Sequence, residues 1–205
     1  VVVPCGVQTG FKLTADDLAA HLTPKTRWLI LNSPGNPTGA VYSANELAAL
    51  AEVLRAHPDV AVMSDDIYQE ILYDDTRFAT MAEVAPDLRD RVLTVSGVSK
   101  SYAMTGWRIG FAAGPRDLIA AMTKLQGQST TNASSIGQSA ALAALVGRQD
   151  FLEAWRTAYA RRRKLVADRL AAVPGFTFTT PQGAFYHFVG CQALLGLTTS
   201  GGVKI

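Results

Sequence analysis

Two cationic side chains lie close together in an otherwise apolar and hydroxylated stretch of the chain, SGVSKSYAMTGWRIG at residues 96–110. Lys100 is surrounded by small and hydroxylated residues, and Arg108 follows eight positions later between two apolar side chains. A lysine in such a loop can be a solvated surface residue, a phosphate-binding residue or an amine that condenses with an aldehyde. The phosphate-loop alternative is disfavoured, because the pattern GxxxxGK[ST] requires glycine where this chain has Thr94 and Ser99.

The covalent alternative predicts partners for Lys100 if the aldehyde is pyridoxal phosphate. The phosphate requires a cation, and Arg108 supplies a planar guanidinium. The ring nitrogen must stay protonated, for which Asp65 is the candidate carboxylate. At about 4 Å and an effective dielectric near 20, that pairing is worth roughly 4 kcal/mol, or about 3 pKa units. Asn36 and Tyr68 are candidate hydrogen-bond donors to the phenolic oxygen of the ring.

Each of these residues also has an ordinary structural explanation. The segment NPTG that begins at Asn36 is a common turn, and Asp65 can be a helix N-cap. Tyr68 can be a core aromatic with its hydroxyl at the edge, and Arg108 can pair with a surface carboxylate. Their occurrence in order, at the ends of successive predicted strands, favours a shared site.

Four short apolar segments are predicted strands, and they alternate with helical patterns: TRWLIL, DVAVM, RVLTV and RIGFAA. The first shows little alternation, as is typical of a strand buried on both faces. This order predicts an α/β fold with a mostly parallel sheet flanked by helices. Ligands bind outside the carboxyl ends of such strands, so the polar groups that follow the first three strands are expected at one rim.

The remaining segments predict helices and a second small sheet. Thr14 with Asp17, and Ser43 with Glu46, are expected to cap the first two helices. Three further helices are expected over about 117–126, 136–146 and 151–172. The segments FTFTT and AFYHFV alternate enough to predict two strands of a different sheet, 176–180 and 184–189.

Composition excludes several functional classes. The 205 residues carry a net charge of +2, which gives no reason to expect a nucleic-acid or membrane partner, and no apolar run is long enough to cross a bilayer. The three histidines and two cysteines have no ligand spacing, so no metal site is expected. The distant Cys5 and Cys191 favour reduced thiols in a cytoplasmic protein.

The first and last residues lack the sequence character of true termini, so we expect the chain to be an internal fragment of a longer one.

Five segments together resemble class I pyridoxal-phosphate-dependent aminotransferases, most closely the bacterial aspartate aminotransferases. They are NSPGNPTG, SDDIY, SGVSKSYAMTGWRIGFAAGP, STTNASSIGQSAALAAL and PQGAFYHF, and the resemblance covers essentially the whole chain. The lysine segment is the most specific of them.

The resemblance implies a role for each candidate. Lys100 corresponds to the lysine that binds the cofactor covalently and then moves a proton, and Asp65 to the partner of the pyridinium. Asn36 and Tyr68 correspond to residues at the 3′-oxygen, and Arg108 to the phosphate arginine. Substrates are then an amino acid, aspartate first, and a 2-oxo acid such as 2-oxoglutarate.

The resemblance also implies a homodimer built from large and small domains. Residues 1–148 are expected to be part of the large cofactor-binding domain, and residues 149–205 the connecting helix and the start of a smaller α+β domain. Two positions depart from the family pattern: Gly97 replaces a serine that many relatives use on the phosphate, and Asn132-Ala133 replaces Asn-Pro. The family segments that stack on the ring and bind the substrate carboxylate have no counterpart in these residues.

Three functional alternatives stay open at this point. The first is that the chain is a non-catalytic cofactor-binding or dimerising fragment. The second is an aminotransferase for aromatic amino acids or prephenate rather than for aspartate. The third, a cofactor-free Schiff-base enzyme such as an aldolase, leaves Asp65 and Arg108 without a role.

Overall fold

The computed structural model describes residues 1–205. Six α-helices follow the chain as α1 (Ala15–His21), α2 (Ala44–Arg55), α3 (Met81–Val84), α4 (Arg116–Gly127), α5 (Ser135–Val146) and α6 (Asp150–Ala171). Six strands alternate with them as β1 (Trp28–Asn32), β2 (Ala61–Asp65), β3 (Val92–Gly97), β4 (Gly110–Ala113), β5 (Thr177–Phe178) and β6 (Val189–Gly190). The order of elements confirms the predicted α/β class.

Side-chain caps fix the starts of the first two helices. The Thr14 hydroxyl accepts a hydrogen bond from the backbone N–H of Asp17 at 3.1 Å. Ser43 accepts from the N–H of Glu46 at 3.3 Å, and the Glu46 carboxylate accepts from the N–H of Ser43 at 2.8 Å. Both predicted caps are confirmed, and the second is a complete capping box.

The main sheet has the order β1-β2-β3-β4. The first three strands are parallel, and β4 pairs with β3 in the antiparallel direction. The register sets Asn32 opposite Asp65, and Asp65 opposite Val95. The carboxyl ends of the three parallel strands therefore meet at one rim, as the sequence predicted.

One apolar cluster of 15 buried residues holds the sheet to α1, α2 and α3. The helix α2 contributes one face to it, because its leucines recur at helical spacing. The members are Leu18, Leu29, Leu31, Tyr42, Leu47, Leu50, Ala51, Leu54, Val60, Val62, Ala79, Met81, Ala85, Leu88 and Val92. This core fixes the strands from which the rim residues extend.

The expectation that β1 is buried on both faces is wrong. Leu29 and Leu31 belong to the core cluster, whereas Trp28 is 42% exposed and Ile30 is 64% exposed. The strand lies at the edge of the sheet, and its two faces alternate because successive side chains of a strand point to opposite sides.

The second small sheet exists, but its strands are shorter than predicted. β5 and β6 pair antiparallel over two residues each, and of the segment 184–189 only Val189 is in a strand. The backbone of 182–184 instead bonds to distant loops: Gly183 N–H donates to Gly39 at 3.0 Å and Ala184 N–H to Ile71 at 2.9 Å. Local alternation could not reveal these partners.

The helix α6 spans 22 residues, close to its predicted bounds. Its apolar stripe is only partly covered, because Leu152 is its one buried residue and Trp155 and Val166 are 37% and 42% exposed. The division into a large domain over 1–148 and a connector with part of a small domain over 149–205 stays a prediction. No helix in the structure combines the length and the apolar character needed to span a bilayer.

Candidate active site

Asn32 joins the ends of β1 and β2 at the rim. Its side-chain amide donates to the carbonyl of Asp65 at 3.1 Å, and its side-chain oxygen accepts from the N–H of Asn36 at 2.7 Å. The turn that carries Asn36 is therefore tied to the end of β2. Asn32 has no role in the sequence prediction, although its position at a strand end is the same signal that identified Asp65.

Asp65 and Asp66 are neighbours in the chain with different surroundings. Asp65 is half-buried at the end of β2, and its carboxylate accepts one hydrogen bond, from the N–H of Ile67 at 3.3 Å. Asp66 is 1% exposed, accepts from the Ser64 hydroxyl at 2.7 Å, and leaves its Oδ2 without a partner. Burial raises the pKa of Asp66, and the charge of Asp65 adds to the rise. Turns and not a helix follow β2, so the N-cap alternative for Asp65 is wrong.

Tyr68 is a buried aromatic whose hydroxyl is hydrogen-bonded at the rim. Its ring meets those of Phe185 and Tyr186 edge-on, at centroid distances of 5.4 and 5.7 Å. Its hydroxyl lies 2.5 Å from the hydroxyl of Tyr186. Burial raises the pKa of Tyr68, Tyr186 and the charge of Asp65 raise it further, and the Asn36 side chain opposes the rise. Asn36, Asp65 and Tyr68 are thus within electrostatic reach of one another.

Lys100 lies in the turn that follows β3. It is half-buried, and its amine forms no ion pair with any carboxylate of the chain. The next residue, Ser101, is buried and donates its hydroxyl to the carbonyl of Ile67 at 3.4 Å. The loop of Lys100 therefore packs against the segment between Asp65 and Tyr68.

Arg108 is on the same β3–β4 connection as Lys100. Its backbone is in the left-handed region, with φ of 55°, which is uncommon for a residue with a side chain. Its guanidinium donates to the carbonyl of Thr105 at 3.1 Å and has no carboxylate within 4 Å. The surface ion-pair alternative for Arg108 is therefore wrong within this chain, and the side chain keeps most of its donors free for an anion.

Close packing brings the two ends of this connection together. Gly97 and Gly110 are paired across β3 and β4, and the N–H of Val98 donates to the carbonyl of Ile109 at 3.4 Å. A Cβ at Gly97 would lie 2.9 Å from the carbonyl oxygen of Ile109. The departure from the family serine at this position thus coincides with a backbone approach that only glycine permits.

Tyr186 is the part of the site that sequence reasoning missed. Its segment is held to both loops of the rim, because Gly183 bonds to Gly39 and Ala184 to Ile71. A Cβ at Gly183 would lie 2.7 Å from the Pro34 side chain. The available signal was the segment GAFY within one of the family-like stretches, which carried no residue role.

A cavity of about 700 Å³ lies beside the rim rather than between the candidates. It is bounded by the N-terminal residues and β1, and it includes Asn32 and Asn36 but not Asp65 or Lys100. Asn36, Asp65 and Tyr68 are connected by strand register, hydrogen bonds and electrostatic reach. The loop of Lys100 contacts this group through Ser101, and Arg108 lies further along the same connection.

Comparisons with known proteins find relatives over the whole length of the chain. The chain is 54% identical, over all 205 residues, to the aspartate/prephenate aminotransferase of Cereibacter sphaeroides and covers 51% of it. The crystal structure of the aspartate aminotransferase from Rhizobium meliloti superposes with a TM-score of 0.96 at 51% identity, over 100% of this chain and 51% of that one. An aromatic aminotransferase from Pyrococcus horikoshii gives a TM-score of 0.87 at 41% identity, over 92% and 50%.

The chain spans about half the length of the curated relatives it matches. Within that span the likeness is continuous, and the family model described as aminotransferase class I and II matches residues 1–203. Sequence, fold and the rim of polar residues lead to the same family. The chain belongs to the class I and II aminotransferases.

Proposed function

We propose that this chain carries the cofactor-binding half of a pyridoxal-phosphate-dependent aminotransferase that moves an amino group between aspartate and 2-oxoglutarate. The observation that carries the proposal is the contact of the Lys100 loop, through the Ser101 hydroxyl, with the backbone between Asp65 and Tyr68. The loop of a primary amine without a carboxylate partner thus packs against the segment between a carboxylate and a phenol.

The residues present fit the chemistry of pyridoxal phosphate. The cofactor has an aldehyde, a phenolic oxygen, a ring nitrogen and a phosphate. Lys100 offers an amine for the aldehyde, and Arg108 offers a guanidinium with free donors for the phosphate. Asp65 offers a carboxylate with one hydrogen bond for the ring nitrogen. Every functional group of the cofactor has a complementary side chain, whereas a cofactor-free aldolase would leave two of these side chains unused.

The bound cofactor would supply an electron-accepting ring that stabilises negative charge at the substrate α-carbon. Lys100 Nζ would bind the aldehyde carbon and, once displaced by substrate, would hold the proton that moves between the α-carbon and C4′. Asp65 would keep a proton on the ring nitrogen, because a carboxylate near it favours the charged form. Asn36 and Tyr68 would orient the ring by hydrogen bonds to its 3′-oxygen.

The central experiment maps the covalent attachment. Full-length protein is mixed with pyridoxal phosphate, reduced with borohydride and digested, and the pyridoxyl peptide is sequenced. We expect the label on Lys100, and we expect Lys100→Arg to lose the visible absorption band of the cofactor. Lys124→Arg, on the exposed helix α4, is the matched control and should keep it. A label on Lys12, Lys25 or Lys124 would contradict the proposal.

The identity of the two substrates is tested separately. Two similar proteins bear the names aspartate/prephenate and aromatic aminotransferase, so prephenate and aromatic amino acids are the second candidates. A panel of amino-acid and 2-oxo-acid pairs on the full-length protein should give the highest kcat/KM for aspartate with 2-oxoglutarate. A higher value with prephenate as the amino acceptor, or with an aromatic amino acid as the donor, would change the proposed substrate and leave the proposed chemistry unchanged.

We further propose a cytoplasmic homodimer. The exposed apolar residues of α4 and α5, which include Leu125 and Ile136, support a subunit contact. Free Cys5 and Cys191 are compatible with a reducing compartment. Light scattering of the full-length protein measures its oligomeric state.

The non-catalytic alternative predicts no transamination by these 205 residues alone. A rate comparable to that of a complete enzyme would rule it out.

A further inference from the structure

Tyr186 contacts the candidate site at Tyr68, through both its ring and its hydroxyl. The two hydroxyl oxygens are 2.5 Å apart, although the residues are separated by 118 positions in the chain. The Tyr68 ring is enclosed edge-on by Phe185 and Tyr186, so its hydroxyl has a fixed position. The contact is therefore a defined hydrogen bond between two phenols and not a loose surface approach.

The backbone around Tyr186 is held from three sides. Gly183 N–H donates to Gly39, Ala184 N–H donates to Ile71, and the Tyr73 hydroxyl donates to the carbonyl of Ala184. Ala184 is fully buried with φ of 56°. These contacts fix the segment against both the turn of Asn36 and the loop of Tyr68, so the phenol of Tyr186 is preorganised.

A phenol has a single proton and two acceptor lone pairs. If Tyr68 gives its proton to the cofactor's 3′-oxygen, as the proposed function requires, it cannot also donate to Tyr186. Tyr186 must then be the donor in the pair. A phenol that accepts a hydrogen bond becomes a better donor in turn, because bonds in a chain polarise one another.

We infer that Tyr186 is a positioning residue that donates its hydroxyl proton to Tyr68 and thereby directs the Tyr68 proton to the 3′-oxygen of the cofactor. This inference rests on the proposed function, since it needs the cofactor beside Tyr68. The chain Tyr186–Tyr68–3′-oxygen stabilises negative charge on that oxygen. Removal of the Tyr186 hydroxyl should therefore let the bound chromophore keep its proton to higher pH.

The test measures the pH midpoint of the cofactor's visible absorption band in the full-length holoprotein. Tyr186→Phe should raise the midpoint by roughly 0.3 pH units, because cooperativity changes a hydrogen bond by only a fraction of its strength. Tyr68→Phe should raise it further, by about one unit, because it removes the direct donor.

Tyr159→Phe is the matched control. Tyr159 stacks on Phe185 in the same aromatic group, with centroids 5.7 Å apart, but its hydroxyl has no hydrogen-bond partner in the chain. Its removal deletes an equivalent atom and should leave the midpoint unchanged. An equal shift in Tyr159→Phe and Tyr186→Phe would overturn the inference, because the cause would then be general repacking.

A double-mutant cycle separates the relay from independent effects. If Tyr186 acts through Tyr68, the Tyr186→Phe shift should vanish in the Tyr68→Phe background. The inference is overturned if the shift persists in that background, or if Tyr186→Phe alone gives no shift. In either case, labelling of Lys100 in the wild-type protein would still support the proposed function. If Lys100 of the wild-type protein is not labelled, the proposed function is wrong and the relay is wrong with it.

Discussion

The chain up to Ala113 and the chain from Arg116 onward differ in how they bury their apolar side chains. All 15 members of the main core lie between Leu18 and Val92. In contrast, no residue of α4 is buried, and Leu125 and Ile136 are 73% and 72% exposed. The first region supplies its own core, whereas the second leaves apolar faces exposed.

Two helices of equal length make the contrast concrete. Both α2 and α4 have 12 residues and an apolar face. The face of α2 packs against the sheet, whereas that of α4 remains open. An amphipathic pattern therefore shows that a helix has a face to bury but does not identify the surface that covers it.

The largest expected effect is on the core of the first region. Leu54 on α2 is fully buried, so Leu54→Ala should lower the free energy of unfolding by about 2–5 kcal/mol through lost burial and a cavity. The measurement is the urea midpoint by circular dichroism. Leu125→Ala on α4 removes the same atoms from an exposed site and should change stability by no more than about 0.5 kcal/mol. Equal losses of stability in the two variants would contradict the difference in burial between the regions.

The next effect concerns the junction between the two regions. A Cβ at Gly183 would lie 2.7 Å from Pro34 and 2.9 Å from the carbonyl of Ile71, so Gly183→Ala should destabilise by about 1–3 kcal/mol. Gly127 has no atom within 4 Å of its added Cβ, so Gly127→Ala should be neutral or stabilise by up to about 1 kcal/mol. Thermal unfolding of both variants distinguishes them; a neutral Gly183→Ala would mean that the junction adapts.

The smallest effect is a difference in pH dependence between the regions. Burial raises the pKa of Asp66 above 3.8, so its contribution to stability is present below that pH and is lost as pH rises through the folded-state pKa. Burial lowers the pKa of His187 below 6.5, so its contribution is present above 6.5 and is lost as pH falls through the folded-state pKa.

Two substitutions should separate these windows. Asp66→Asn retains an acceptor for Ser64 and should gain stability relative to wild type as pH rises from about 4. His187→Gln should gain relative to wild type as pH falls from about 6.5. Urea unfolding across this range gives both differences, and parallel curves for variant and wild type would mean that the burial of that group does not affect its titration.

The elements predicted most accurately are those specified by local chemistry. Thr14 and Ser43 cap the helices that their side chains predict, because a cap depends on residues three positions apart. β1, β2 and β3 follow from short apolar runs ended by polar residues. The segment 184–189 forms a strand only at Val189. At its start, Ala184 bonds to Ile71, a partner that no local pattern identifies.

The candidate site shows the same division. The sequence could predict that the candidates Asn36, Asp65, Tyr68, Lys100 and Arg108 follow successive strands, and that the ends of parallel strands converge. It could not predict the side-chain contacts. The bridging role of Asn32, the buried state of Asp66 and the contact of Tyr68 with Tyr186 all depend on where distant backbone segments meet.

The separation of 118 positions between Tyr68 and Tyr186 has a consequence for biosynthesis. The core of the first region ends at Val92, so it can collapse while the ribosome is still adding later residues. The Tyr68 ring then stays uncovered until Gly183 and the residues after it have left the ribosome. The contact of Tyr68 with its covering segment therefore forms only after the core. A nascent chain arrested before residue 183 would expose an aromatic surface of the kind that chaperones bind.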